Sequence, residues 1–239
     1  MLYTITSTIT GILIISKYFK HKDKTLVLVG LSIIGISCPW WPSTISYLMI
    51  LIFKEALPPQ PYFLIGNAFV PVFTYCWILA INILLFGGKN KRFLTIYAII
   101  FIIFEIVFFF LLFTNYDLIG YLELNYIDVH YYYVVMGLLV LIVITVLVTG
   151  LMVAHHSIFS KDPEIQLKGK ILGITFTLWS ICATIDAVAP PDPVGIETAI
   201  VRTILIVNSL FFYIGWIMPK FALKIFIKLK ILEKSKKLG

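Results

Sequence analysis

Charge is what this sequence has least of. Only 13% of its 239 residues are Asp, Glu, Lys or Arg, against 60% hydrophobic residues and a mean hydropathy of +1.00. Water-soluble domains carry about 25% charged residues, so lipid, not water, must cover most of this surface. Cysteine is nearly absent. Cys38, Cys76 and Cys182 are odd in number, lie inside apolar runs and show no CxxC spacing, which argues against a disulfide framework or a zinc site. HExxH, GxSxG, a glycine-rich nucleotide loop and any clustered His/Asp set are missing too, so neither catalysis nor a bound cofactor is expected. The formal charge of +7 sits in short gaps between apolar runs, where lysine sorting and anionic headgroups account for it. The expected partner is therefore the lipid bilayer and not nucleic acid. The opening stretch, MLYTITSTITGILIISKYFK, lacks a basic n-region and a small-residue cleavage site and reads as a retained span.

What is present is a series of long apolar runs. A spanning helix needs about 20 apolar residues, and seven runs qualify, near 2–18, 25–53, 62–86, 93–114, 131–157, 170–189 and 196–218. The expected fold is an all-α, polytopic seven-helix transmembrane bundle over 1–218, with a cytoplasmic tail over 219–239. Lysine and arginine follow the first, third, fifth and seventh runs, at Lys17 to Lys24, Lys89 to Arg92, Lys161 to Lys170 and seven lysines beyond Met218. The alternate gaps hold Lys54 beside Glu55, and then Asp117, Glu123, Asp128 and Asp192. An odd number of crossings with the N-terminus outside and the C-terminus inside places every basic segment on the cytoplasmic face of the cell membrane.

The second run contains Cys38-Pro39-Trp40-Trp41-Pro42 and the third contains Pro71. Each proline lacks an N–H and crowds the carbonyl four residues back, so Gly35, Cys38 and Asn67 should lose helical partners and both helices should break, at similar distances from their shared loop. Freed carbonyls in hydrocarbon need another donor or a protected cavity. Trp40, Trp41, Pro42, Asn67, Pro71 and Tyr75 are the candidate ligand pocket; plain packing kinks filled by aromatics are the alternative.

Few ionisable groups lie at membrane depth, where each is a functional candidate. Glu105 is near the middle of the fourth run, to be hydrogen-bonded to Asn82, Asn208 or a tyrosine, or else to serve as the coupling site of a transporter. Asp186 and Arg202 lie at similar depth on the last two runs and should form an outer salt bridge, which Glu197 would share. Pro190, Pro191 and Pro193 stiffen the turn between those runs. The seventh run contains no lysine, which excludes a retinal Schiff base there. His155 and His156 close the fifth run, while His130 lies about 38 Å up the same helix, so a two-histidine haem site is disfavoured. The segment 115–130 is expected to form a short interfacial helix, followed by Tyr131, Tyr132 and Tyr133 as an aromatic belt. In the tail, Phe221, Ile225, Leu229 and Leu232 recur at helical spacing with Lys220, Lys224, Lys228 and Lys234 off that face, as in a basic amphipathic helix on a leaflet.

Residues 158–187 combine a short basic loop from Lys161 to Lys170, the amphipathic lead-in Glu164 to Lys170, and an apolar helix ending near Asp186. With the seven runs and an outer N-terminus, this resembles the N-terminal seven-transmembrane sensor region of archaeal and bacterial histidine kinases. The resemblance implies an integral membrane sensor. Those kinases continue into PAS or dimerisation and ATP-binding domains, whereas here about twenty residues follow the last run, with no histidine beyond His156. A sensor of this kind would hand its signal to a separate cytoplasmic signalling protein, and the resemblance supplies no catalytic residues. A small-molecule or ion transporter remains the alternative, although no internal repeat is visible.

Overall fold

The computed structural model describes residues 1–122, 128–188 and 196–228. Seven helical stretches are long and apolar enough to cross a membrane: Leu2–His21, Lys24–Phe53, Pro59–Phe86, Lys91–Thr114, Tyr133–Ile158, Pro163–Ala187 and Ile196–Ile217. These coincide with the seven runs read from sequence, and the molecule is an all-α bundle. The hairpin prolines at 190–193 and the tail beyond 228 lie outside the described residues.

The first span is α1 (Leu2–Ser16) followed by the single turn α2 (Tyr18–His21). The second is broken as its prolines require, into α3 (Lys24–Gly35), a 3-10 turn at Cys38–Trp40, and α4 (Trp41–Phe53). The third is broken into α5 (Pro59–Asn67) and α6 (Val70–Phe86). The carbonyl of Cys38 nonetheless keeps a donor, the N–H of Trp41, because the tighter turn brings residue i+3 within reach. The remaining spans are the continuous helices α7 (Lys91–Thr114), α8 (Tyr133–Ile158), α9 (Pro163–Val188) and α10 (Ile196–Ile217).

Helix ends carry the expected signals. Asp23 accepts from the N–H of Thr25 at 2.8 Å to start α3, and Asn90 accepts from Phe93 at 3.1 Å to start α7. Gly87 and Gly88, at φ 57° and 77°, turn the chain out of α6 and return their N–H groups to Ile83 and Asn82. The side chain of Asn82 accepts from the N–H of Asn90 at 3.1 Å, so it clips the α6–α7 turn.

Lipid-soluble helices gain little from one another by hydrophobicity, so small residues and internal hydrogen bonds hold them together. Helix α1 packs on α3 and α10, α3 on α6, and α9 lies between α8 and α10. At the α1–α3 crossing, a Cβ placed on Gly11 would sit 2.6 Å from the carbonyl oxygen of Gly30, and the reverse holds equally. The two broken spans meet where Gly35 lies against the ring of Phe73, with no room for any side chain. Trp77 of α6 fills the centre: its indole N–H donates to Thr149 Oγ1 at 2.8 Å, and its ring lies 5.2 Å from Phe176 and 6.2 Å from Trp216.

Two expectations are corrected here. The segment after α7 is not an interfacial helix; past a 3-10 turn at Tyr116–Leu118 it forms an antiparallel ribbon of β1 (Gly120–Leu122) and β2 (Val129–Tyr131). Gly120, lacking a Cβ, lets its strand lie directly against the carbonyl of His130. Within the tyrosine triplet, Tyr133 is 94% exposed and Tyr132 is exposed, but Tyr131 turns inward and is buried. In the tail, α11 (Lys220–Lys228) seats Ala222 and Phe226 on Leu167 and Ile171 of α9, leaving Phe221 and Ile225 outward at 59% and 53% exposure. The stripe begun by Phe221 and Ile225 thus faces away from the bundle. Leu229 and Leu232 lie outside the described residues.

Candidate functional site

A cavity of about 350 Å³ opens within one half of the bundle. Its floor is the break in the second span, contributing Ile36, Pro39, Trp40 and Ser43, together with Val70 from the break in the third. Asp128 to Tyr131 of the ribbon form one wall, and facing segments of α8, α9 and α10 form the others. The size suits a small organic molecule, and the lining follows the usual composition of such sites, mostly apolar with a few convergent polar groups.

The polar groups are held in defined positions. Asp186 on α9 accepts the indole N–H of Trp40 at 2.6 Å, a bond joining positions 146 residues apart. The Trp40 ring is met edge-on by Tyr3 of α1, centroids 5.1 Å apart, and the Tyr3 hydroxyl accepts from the indole N–H of Trp179 at 3.3 Å. Two tryptophans lining the cavity are thereby fixed through one buried tyrosine. Tyr131 is backed by Asn67, whose amide donates to the phenol oxygen at 3.3 Å and to the carbonyl of Phe63 at 3.0 Å. Gly66 fits between Pro42 and the Tyr131 hydroxyl: a Cβ there would lie 3.0 Å from the proline ring and 3.1 Å from the oxygen.

Of the six pocket residues read from sequence, only Trp40 lines the cavity. Pro42 and Asn67 stand one layer behind it, supporting Tyr131. Trp41 instead donates to Ser37 Oγ at 3.1 Å, Pro71 is buried at the start of α6, and Tyr75 packs against the core away from the cavity. The expected Asp186–Arg202 bridge is replaced by another pairing, in which Arg202 Nη2 meets Asp128 Oδ1 at 2.8 Å. Depth along a helix placed Asp186 and Arg202 at one level, but Asp128, just before β2, offers the carboxylate that Arg202 meets.

The other polar residues of the apolar helices do not meet. Both carboxyl oxygens of Glu105 are buried with no hydrogen-bond partner among the described residues; Asn208 donates to the carbonyl of Thr175 at 3.1 Å; and Asn82 serves the α6–α7 turn. His155 and His156 are exposed at the end of α8, and among the described residues no group of three His, Cys, Asp or Glu is placed to hold a metal ion.

Sequence reading missed Trp179, Ser43 and Thr184 as lining residues. One signal was available: Trp179, Ala183 and Asp186 follow the i, i+4, i+7 spacing of a single helical face. Comparison with protein-family models, curated proteins and solved structures finds no match. The functional reading therefore rests on the site itself.

Proposed function

We propose that this chain is an integral membrane receptor-like protein whose cavity binds a small ligand on the outer side of the cell membrane. The observation that carries this reading is the cavity's floor: it is the broken middle of the second span, where a 3-10 turn interrupts the regular helical ladder. A ligand seated there contacts the second, fifth, sixth and seventh spans together, so binding would bias their relative positions. The distribution of lysines supports an outer N-terminus and inner C-terminus, with the segment 219–239 on the cytoplasmic leaflet, where a separate signalling protein would read the change. The resemblance to kinase sensor regions agrees with this reading.

A transporter with Glu105 as its coupling site is the weaker reading. Glu105 has no hydrogen-bond partner among the described residues, which suits a group that exchanges a proton, but it does not line the cavity.

Ala183, buried on the cavity wall, provides the test. Compounds that raise the melting temperature of the purified protein, found in a screen of small amphiphiles, should lose that effect in Ala183→Trp, whose indole fills the space. Retained binding in a folded Ala183→Trp protein would place the ligand elsewhere.

A further inference from the structure

The cavity wall carries more negative than positive charge. Asp128, Asp186 and Glu197 face it against a single guanidinium, that of Arg202. That guanidinium is held by Asp128, and no ion pair among the described residues engages Asp186 or Glu197. Asp186 is half-buried near the end of α9, and one of its oxygens is fixed by the Trp40 indole. A carboxylate facing a mostly apolar cavity with no ion-pair partner among the described residues is unfavourable, and a cationic ligand is one way to supply one. The aromatic faces beside it add to the same preference, since a cation over tryptophan is attracted by the ring quadrupole.

The way in has a matching character. Val140 and Ile144 line the cavity yet are exposed on the flank of α8, while Glu197 lines it and is exposed at the start of α10. A molecule with an apolar body and a charged head meets an apolar flank and an acidic rim on the same path.

We propose that the cavity takes an amphipathic organic cation, its ammonium group on Asp186 and its apolar body against Trp40 and Trp179. This rests on the cavity being the ligand site, and it adds the ligand's class. A bare metal ion would find too few converging ligands, and an anion would face three carboxylates.

Three isosteric probes decide the matter: 4-phenylbutylammonium, 4-phenylbutanol and 4-phenylbutanoate, titrated by tryptophan fluorescence against the protein in zwitterionic nanodiscs, with empty nanodiscs as blank. The ammonium probe should bind at least about tenfold more tightly than the other two, and Asp186→Asn should lose that advantage while keeping its affinity for the alcohol. If Asp186→Asn does not fold, Glu197→Gln at the exposed rim should still weaken the ammonium probe alone, by about threefold. Equal binding of all three probes, abolished in Ala183→Trp, would leave the cavity as a ligand site and overturn the cation assignment. Binding by none of them would overturn both.

Discussion

Replacing Trp77 with alanine is expected to lower the unfolding free energy by about 3–5 kcal/mol, the usual cost of deleting a buried tryptophan. The residue is buried at the junction of α6, α8, α9 and α10, with its ring against Phe176 and Trp216 and its N–H on Thr149. Lipid cannot enter such a site, so the lost contacts are not replaced. Trp77→Phe restores most of the ring packing but not the donor. Thr149 retains its own bond to the carbonyl of Thr145 at 2.6 Å, so this milder change should cost about 1 kcal/mol. Thermal or denaturant unfolding of the purified protein in one detergent measures both. A Trp77→Ala protein as stable as the parent would mean that the four helices do not meet around this ring.

The second large effect is expected where α1 crosses α3. Gly11 and Gly30 bring the two backbones so close that even a methyl group on either lies 2.6 Å from the opposing carbonyl oxygen. Neither atom belongs to a flexible side-chain end, so the helices themselves must separate. Gly30→Ala should cost about 1–3 kcal/mol by overpacking, and Gly30→Leu should prevent recovery of a monodisperse protein. Gly137 on α8 is the control, because nothing lies within 4 Å of a Cβ there. Gly137→Ala should be neutral or add about 0.5–1 kcal/mol through helix propensity. Chromatographic profile and melting temperature read the contrast. Equal tolerance at both glycines would place the α1–α3 contact elsewhere.

The bundle was legible in sequence because spanning length, proline and glycine act locally. Seven apolar runs and breaks at Pro39, Pro42 and Pro71 each follow from residues within a few positions. What escaped was the pairing between distant elements. Counting residues from a loop gives the depth of Asp186 and Arg202 but not the direction each faces. The ribbon 120–131 was hidden because its pairing depends on a glycine lying against a strand eleven residues away, while its tyrosines and aliphatics read equally as an interfacial helix. Asp128 therefore looked like loop charge until the ribbon carried it to Arg202. In the same way, the prolines announced breaks in two spans, yet the cavity beside them is completed by α8, α9 and α10, and only Trp40 was common to both readings. Glu105 was singled out for its place midway along an apolar run, and the hydrogen bond expected of it is missing among the described residues.

The most direct test of an outward cavity uses single cysteines in a variant lacking Cys38, Cys76 and Cys182, placed at Ala183, Ile181 and Lys161. Ala183 is buried on the cavity wall, Ile181 is 51% exposed on the other side of the same helix, and Lys161 is exposed at the opposite end of the bundle. A membrane-impermeant trimethylammonium thiol reagent is applied to right-side-out vesicles. The expected result is modification at position 183 alone, with position 161 reacting only after the membrane is opened and position 181 inert in lipid. An unreactive cysteine at 183 beside a reactive one at 161 in sealed vesicles would contradict both the cavity and its orientation.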